Sequence, residues 1–275
     1  MELDSAAIGR FRRTVWAYFA AHRRDMPWRH PEPDGTFDPY KILVSEVMLQ
    51  QTQVPRVIPK FELFIDRFPS VEVLAAAPLS DVLKLWSGLG YNRRAKFLHQ
   101  AATEVVKHYH GQFPQIVKEL KQFSGVGENT AGAIAVYAFN QPVIFIETNI
   151  RTVYIHHFFE GRTDVSDIEL RPRIAQTLDS KKPREWYWAL MDYGASLKTT
   201  QGNVSTRSRH YKKQSPLAGS RRQVRGQILK QLTTASQTKM QLKRHIPDER
   251  LAAVLADLLK EGLITTSGGR YSIGG

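Results

Sequence analysis

Apolar positions recur three and four residues apart through most of residues 8–200. Residues at that spacing share one side of an α-helix, so each run predicts a helix with one buried face. Short joints that contain glycine or proline separate the runs. The predicted helices cover residues 11–22, 40–52, 55–68, 71–76, 79–85, 93–109, 115–123, 129–138, 148–159, 168–178 and 184–198. We therefore expect a compact all-α domain over residues 1–200.

The last quarter of the chain has a different pattern. Residues 201–219 are polar, basic and rich in serine, which predicts a linker. In residues 220–275 three short helical runs are followed by two strand-like runs around Gly268 and Gly269. Three helices and a hairpin are typical of a winged-helix domain, which either places its third helix in a DNA groove or docks a protein. The sequence leaves both roles open.

Charge and cysteine content narrow the class of protein. The net charge is +13, and residues 203–275 hold 14 Lys or Arg against 4 Asp or Glu. Such a surface suits a polyanion, with nucleic acid as the leading partner and a solubilising tail as the alternative. The absence of cysteine excludes disulfides, thiolate nucleophiles and cysteine-ligated metal centres. Since no stretch approaches membrane-spanning length, we expect a cytoplasmic protein.

One carboxyl group lies inside an apolar helical run. Residues 42–49 read ILVSEVML, with Glu46 among aliphatic side chains. Burial disfavours a carboxylate, so it would raise the pKa of Glu46 toward that of a general acid working near neutral pH. A Glu held by an arginine or by backbone amides would give the same pattern, and position alone does not decide between them.

Two further segments carry candidate chemistry. Gly125 and Gly127 allow a tight turn that exposes amides at a helix start, where a phosphate binds directly or through a monovalent cation, as in a helix-hairpin-helix. The apolar residues 143–146 predict a buried extended segment that leads to Glu147 at the next helix start. The helix dipole would keep that carboxylate ionised, with simple capping as the alternative. Glu46 and Glu147 would then be two carboxyls in contrasting environments, the arrangement of an acid and a stabiliser that suits glycosidic bond cleavage through an oxocarbenium-like state.

Five short segments together carry a family resemblance: residues 27–29 (PWR), 45–54 (SEVMLQQTQV), 85–91 (LWSGLGY), 125–127 (GVG) and 130–134 (TAGAI). They resemble the MutY-type adenine glycosylases of the helix-hairpin-helix DNA glycosylase superfamily. The likeness covers about residues 8–200 and implies a two-lobed helical domain. It also implies a monomer that flips adenine, mispaired with 8-oxoguanine or guanine, out of double-stranded DNA and removes it.

The resemblance implies roles for individual residues. Glu46 matches the general acid that protonates the purine at N7 and then handles the nucleophilic water. Gln51 and Tyr91 match residues that wedge into the base stack near the opposite base, and Thr52 and Leu89 line that region. We call Gln51 and Tyr91 the wedge residues.

Other matches concern the active site and the DNA backbone. Asn149 matches an active-site asparagine. Asn129 falls where bifunctional relatives carry a Schiff-base lysine, so lyase activity by that route is not expected. DNA contacts are expected from Arg29, Asn129, Gly125, Val126 and Gly127.

The chain departs from the family pattern in three ways. Glu147 stands where the family has a catalytic aspartate, which displaces the carboxylate by about one bond length. The four cysteines that ligate an iron–sulfur cluster in the family are absent, with Lys198 near the position of the first, so no cluster is expected. The basic residues 198–213 are expected to contact DNA where the cluster loop of the family does. Residues 220–275 replace a Nudix-like domain that inspects 8-oxoguanine.

Three hypotheses follow for the function. The first is a monofunctional glycosylase of base excision repair that removes mispaired adenine. The second is a glycosylase for uracil, for thymine opposite guanine or for another damaged base. It follows because Glu147 and the replaced Nudix-like domain are the departures that fall where specificity is set. The third is a non-catalytic mismatch-binding protein, against which the retained Glu46 argues.

Overall fold

The computed structural model describes residues 2–274, and these are mostly helical. The chain forms two compact units. The first contains residues up to Ile42, 115–121 and 127–213, and the second contains residues 43–114, 122–126 and those from Gln214 onward. Within residues 2–274 no helix is both long and apolar enough to cross a membrane. The predicted helical architecture with a small C-terminal module is confirmed.

The first unit is built from helices around an aromatic core. They are α1 (Ser5–His22), α7 (Val117–Leu120), α8 (Glu128–Tyr137), α9 (Thr148–Phe158), α10 (Asp167–Thr177), α11 (Pro183–Thr200) and two short 3-10 helices, Pro27–Arg29 and Val204–Arg207. Helix α2 (Pro39–Leu49) begins here and continues into the second unit. Trp186 and Tyr187 of α11 are fully buried and form part of this core. Residues 143–146 lead into α9 without regular secondary structure, as predicted.

The second unit combines helices with a small sheet. It contains α3 (Val54–Arg67), α4 (Val71–Ala76), α5 (Leu79–Trp86), α6 (Arg93–Tyr109), α12 (Arg221–Thr234), α13 (Lys239–His245), α14 (Leu251–Lys260), β1 (Gln237–Thr238), β2 (Ile264–Ser267) and β3 (Arg270–Ile273). The strands are antiparallel in the order β1-β3-β2. Gly268 and Gly269 both have positive φ, as a tight β-hairpin requires. The predicted three helices and hairpin are therefore present, with β1 as an addition.

The bounds of α1 and α7 and the extent of the linker differ from the sequence-based predictions. Helix α1 begins at Ser5 rather than at residue 11, because the Asp4 side chain accepts a hydrogen bond from the Ala7 amide at 2.6 Å and caps it. Helix α7 is a single turn. Part of the predicted linker 201–219 is packed, since Val204 and Ser208 are buried and Ser208 forms a β-bridge with Val165.

Helices α9 and α11 approach each other closely at Gly194. A Cβ atom on Gly194 would lie 2.3 Å from the carbonyl oxygen of Asn149 and 2.8 Å from its carbonyl carbon. Both are backbone atoms, so a side chain here would push the two helices apart. Gly194 thereby permits the close approach of α11 to α9 and so helps to set the position of Asn149 in the first unit.

We predict that Gly194→Ala destabilises the protein by about 1–3 kcal/mol, because overpacking outweighs the helix propensity that alanine gains. Urea unfolding measures the change. Gly9→Ala in α1 is the matched control within the same unit, since its Cβ would meet only the flexible end of Arg13 at 3.3 Å. Equal stability of the two variants would show that α9 and α11 tolerate separation.

Candidate active site and nucleic-acid interface

The loop after α2 is held by a buried arginine of α6. Nη1 of Arg94 donates to three carbonyl oxygens, those of Val47 at 2.7 Å, Met48 at 3.0 Å and Gln50 at 2.7 Å. A helix end leaves such carbonyls without intrahelical partners, and a cation there also complements the helix dipole. Helix α2 therefore ends at Leu49, short of the predicted boundary.

The second terminal nitrogen of Arg94 binds a different loop. Nη2 donates to the carbonyl oxygens of Leu89 at 3.3 Å and Gly90 at 3.2 Å, and to Oγ1 of Thr52 at 3.2 Å. One guanidinium thus joins residues 50–52 to residues 89–90. Burial lowers the pKa of Arg94 to about 10, which leaves the group charged at neutral pH.

The wedge residues stand at the tips of these two loops. Gln51 has φ 56° and Tyr91 has φ 47°, in the left-handed region that residues other than glycine rarely adopt. Both side chains are exposed, and the side chain of Gln214 contacts both. The structure therefore brings the predicted wedge residues together, while Leu89 is buried beneath them and Thr52 is half-buried.

Glu46 belongs to the same structural block. It lies on α2 and is half-buried, next to Ser45 and Val47, which are buried. Arg94 binds the carbonyl oxygen of Val47, one residue further along, so the backbone that carries Glu46 is fixed to both wedge loops.

The hairpin turn is fixed by sterics and by one carboxylate. Gly125 has φ 75°, and a Cβ there would lie 2.7 Å from Cβ of Phe97, so only glycine fits. The amide and hydroxyl of Ser124 donate to the Glu104 carboxylate at 2.8 Å and 2.7 Å. The turn is therefore held in place by α6.

The two glycines and the valine of the hairpin differ in what they offer a phosphate. Gly125 and Gly127 are exposed, and a Cβ on Gly127 would meet no atom of the described chain within 4 Å. Val126 is buried, and its amide donates to the Phe123 carbonyl at 3.0 Å. This arrangement argues against the predicted phosphate contact through the amide of Val126.

Glu147 and its neighbours lie in the first unit. Glu147 precedes α9, but its side chain makes no capping hydrogen bond to the described helix. Burial raises the pKa of Glu147, and the cations of Arg151 and Lys198 oppose that rise. Desolvation is the largest of these influences, so the pKa of Glu147 lies above its ordinary value although the residue stands at a helix start. Oδ1 of Asn129 accepts from the amide of Ile146 at 3.2 Å and so holds the segment before Glu147.

Arg29 has a structural role. It is buried, and Nη1 and Nη2 donate to the two carboxylate oxygens of Asp192 at 2.8 Å and 2.9 Å. Asp192 also accepts from Nε of Arg24 at 2.6 Å. A guanidinium paired in this way has no face left for a phosphate, which argues against the predicted DNA contact of Arg29.

The structure thus groups the candidate residues in two sets. The second unit holds Glu46, Gln51, Thr52, Leu89, Tyr91, Gly125 and Val126, and the first holds Arg29, Gly127, Asn129, Glu147 and Asn149. Sequence reasoning missed Arg94, although it lies on the apolar stripe of α6 with Leu98 and Val105. A charged residue on a buried stripe signals a partner elsewhere in the chain.

We predict that Arg94→Met lowers the free energy of unfolding by about 3 kcal/mol, because it leaves buried carbonyls without donors. Hydrogen exchange of residues 50–52 and 89–91 should accelerate, while that of β2 and β3 should not. Arg93→Met is the control, since its exposed guanidinium lies 3.9 Å from Glu261 and should contribute little. A loss of the same size in both variants would contradict the anchoring role.

Comparisons with known proteins identify the family of the chain. The family model described as HhH-GPD superfamily base excision DNA repair protein matches residues 44–174. An adenine DNA glycosylase of Mycolicibacterium smegmatis is 34% identical over 283 residues, which cover 92% of each chain. One of Buchnera aphidicola is 35% identical over 64% of this chain, which spans only 49% of that protein. The solved structure of a thermostable thymine-DNA glycosylase aligns with a TM-score of 0.60 and 28% identity over 69% of this chain and 87% of that one. The chain belongs to the adenine DNA glycosylase family within the HhH-GPD superfamily.

Proposed function

We propose that the protein is a monofunctional DNA glycosylase of base excision repair that hydrolyses the glycosidic bond of adenine mispaired with 8-oxoguanine or guanine. The observation that carries the proposal is that Arg94 binds the backbone carbonyls next to Glu46, Gln51 and Tyr91, and so joins these residues into one block. The match to an adenine DNA glycosylase over nearly the whole of both chains supports it.

Glu46 acts as the general acid in this proposal. It donates a proton to N7 of the flipped adenine, and the bond between C1′ and N9 breaks with its electron pair leaving on the base. Glu46 then accepts a proton from the water whose oxygen attacks C1′. The products are free adenine and an abasic site.

Glu147 stabilises the positive charge that develops on the sugar. It performs this role as a carboxylate, and its burial strengthens any electrostatic contact that it makes. Burial also raises its pKa, so the neighbouring cations Arg151 and Lys198 sustain its ionised form. The guanidinium of Arg151 is also paired with Asp167 at 2.6 Å, which partly neutralises its charge. Substitution of Lys198 therefore tests the effect of a neighbouring cation on Glu147 more directly.

In this proposal DNA binds to the hairpin and to the basic residues of the last quarter of the chain. Gly125 and Gly127 offer the backbone to a phosphate where no Cβ intervenes. Arg207 is held internally by the Arg162 carbonyl at 2.8 Å, whereas Lys212 and Lys213 are exposed and free to follow the DNA backbone. Because the sequence contains no cysteine, its residues do not fit an iron–sulfur cluster, and no step is assigned to one.

A second candidate is a glycosylase for thymine opposite guanine. The fold and 28% identity shared with a thymine-DNA glycosylase support it, as does Glu147 in place of the family aspartate. A panel of duplexes decides between the candidates, each with one central pair: adenine with 8-oxoguanine, adenine with guanine, thymine with guanine, or uracil with guanine. Abasic sites are scored after alkaline cleavage. Formation only from the adenine duplexes supports the first candidate.

We predict that Glu46→Gln lowers the single-turnover rate of adenine release about a thousandfold, because the amide cannot donate a proton with the driving force of an acid. The Kd for the mismatch duplex, measured by fluorescence anisotropy, should change less than about threefold. Glu62→Gln is the control, because it makes the same change at an exposed glutamate of the same unit. Full activity of Glu46→Gln would exclude Glu46 as the acid.

We predict a shift in pH dependence for Lys198→Met. As pH falls through the raised pKa of Glu147, that carboxylate takes up a proton and the rate falls. Removing the positive charge of Lys198 raises the pKa of Glu147 further, so the acidic limb of the single-turnover pH profile should move to higher pH. Lys198→Arg keeps the charge and should leave the limb near that of the wild type. An unmoved limb in Lys198→Met would mean that another group controls it.

A further inference from the structure

Two side chains from residues 214–222 contact the wedge residues. Nε2 of Gln214 donates to Oε1 of Gln51 at 3.2 Å and contacts the hydroxyl of Tyr91. Nη1 of Arg222 donates to the same hydroxyl at 2.6 Å, and its guanidinium carbon lies 5.7 Å from the centroid of the Tyr91 ring. All four residues belong to the second unit. We call them the wedge cluster.

Arg222 is held in place by its own surroundings. Its Nη2 donates to the carbonyl oxygen of Ser215 at 2.6 Å. It stands in the first turn of α12, which Ser220 caps by accepting from the amide of Gln223 at 3.3 Å, and α12 packs on α5. Arg222 is therefore a fixed cation at the wedge.

The side chains of the wedge cluster carry more hydrogen-bond donors and acceptors than their contacts with one another use. A guanidinium carries five N–H donors, and a carboxamide carries two donors and an acceptor oxygen. Guanine presents O6 and N7 as acceptors on one edge, which an arginine matches with two parallel bonds. In 8-oxoguanine N7 carries a hydrogen and C8 a carbonyl, so the edge also offers a donor. Of the two side chains that residues 214–222 contribute, only the carboxamide of Gln214 accepts from that hydrogen, because a guanidinium has no acceptor atom.

We propose that Gln214 and Arg222 contact the base opposite the excised adenine and set the preference between 8-oxoguanine and guanine. The inference rests on the proposed function, because it requires the wedge residues to enter the base stack. Arg222 donates to the O6 edge that both purines share, and Gln214 distinguishes them through N7. The C-terminal module thereby completes the recognition surface.

The test measures binding and base release with the full chain. Duplexes carry a tetrahydrofuran abasic analogue opposite 8-oxoguanine, guanine or cytosine for Kd, and adenine opposite the same bases for single-turnover rates. Gln214→Ala should reduce the 8-oxoguanine-to-guanine ratio about tenfold in both measurements. Arg222→Ala should reduce the preference for either purine over cytosine about tenfold, and Arg222→Lys should not restore it, because an ammonium lacks the planar fork.

Arg221→Ala is the matched control. It removes the same charge one residue away, from a side chain that pairs with Asp257. Its Kd values should change by one common factor, so every ratio stays within about twofold of the wild type. Ratios that also stay unchanged in Gln214→Ala and Arg222→Ala would overturn the inference.

Two further outcomes separate the inference from the proposed function. Equal tightening of all duplexes by Arg222→Ala would mean that the cluster only shields the wedge in the free protein, which also overturns the inference. The wild-type protein could release no base, while Gln214→Ala and Arg222→Ala still abolish its Kd ratios. That result would refute the proposed enzyme and support the recognition role.

Discussion

The second unit depends on one buried guanidinium. Taking the charge of Arg94 out of water is costly unless its donors are satisfied, and six acceptors from two loops and the end of α2 satisfy the terminal nitrogens. The cost is offset only while all three segments keep their positions. The left-handed backbone of Gln51 and Tyr91 is stabilised by the same bonds, since each adjoins a carbonyl that Arg94 binds. Helix α2, which carries Glu46, and the two loops that carry the wedge residues therefore form one cooperative element.

The two carboxyl groups owe their properties to different surroundings. Glu46 lies within a helix whose end is held by a cation, whereas Glu147 lies before a helix and is governed by burial. The side chain of Glu147 makes no capping hydrogen bond to the first turn of α9, so no such bond offsets its loss of water. Its ionisation therefore depends on the side chains around it, Lys198 among them. Lys198, near the position of a family cysteine, thus favours the ionised form of Glu147, which stands in place of the family aspartate.

The sequence predicted most helices well because their burial is periodic. Helix α6 and helix α4 have the predicted bounds, and the glycine pair of the C-terminal hairpin identified its turn. The end of α2 escaped prediction because its cap comes from Arg94, 44 positions beyond Gln50. Arg29 was assigned to DNA from its motif, and its partner Asp192 lies 163 residues away. Local pattern fixes where helices form, but partners distant in the chain decide what their polar residues do.

The charge state of Arg94 has a consequence for how acidity reaches this protein. A group whose pKa is about 10 keeps its proton across the range in which carboxyl groups titrate. Acid that protonates Glu147 can therefore stop bond cleavage while Arg94 keeps its charge and its hydrogen bonds to α2 and the two loops. Protonation of a carboxyl group and loss of the Arg94 charge therefore occur in separate ranges of pH.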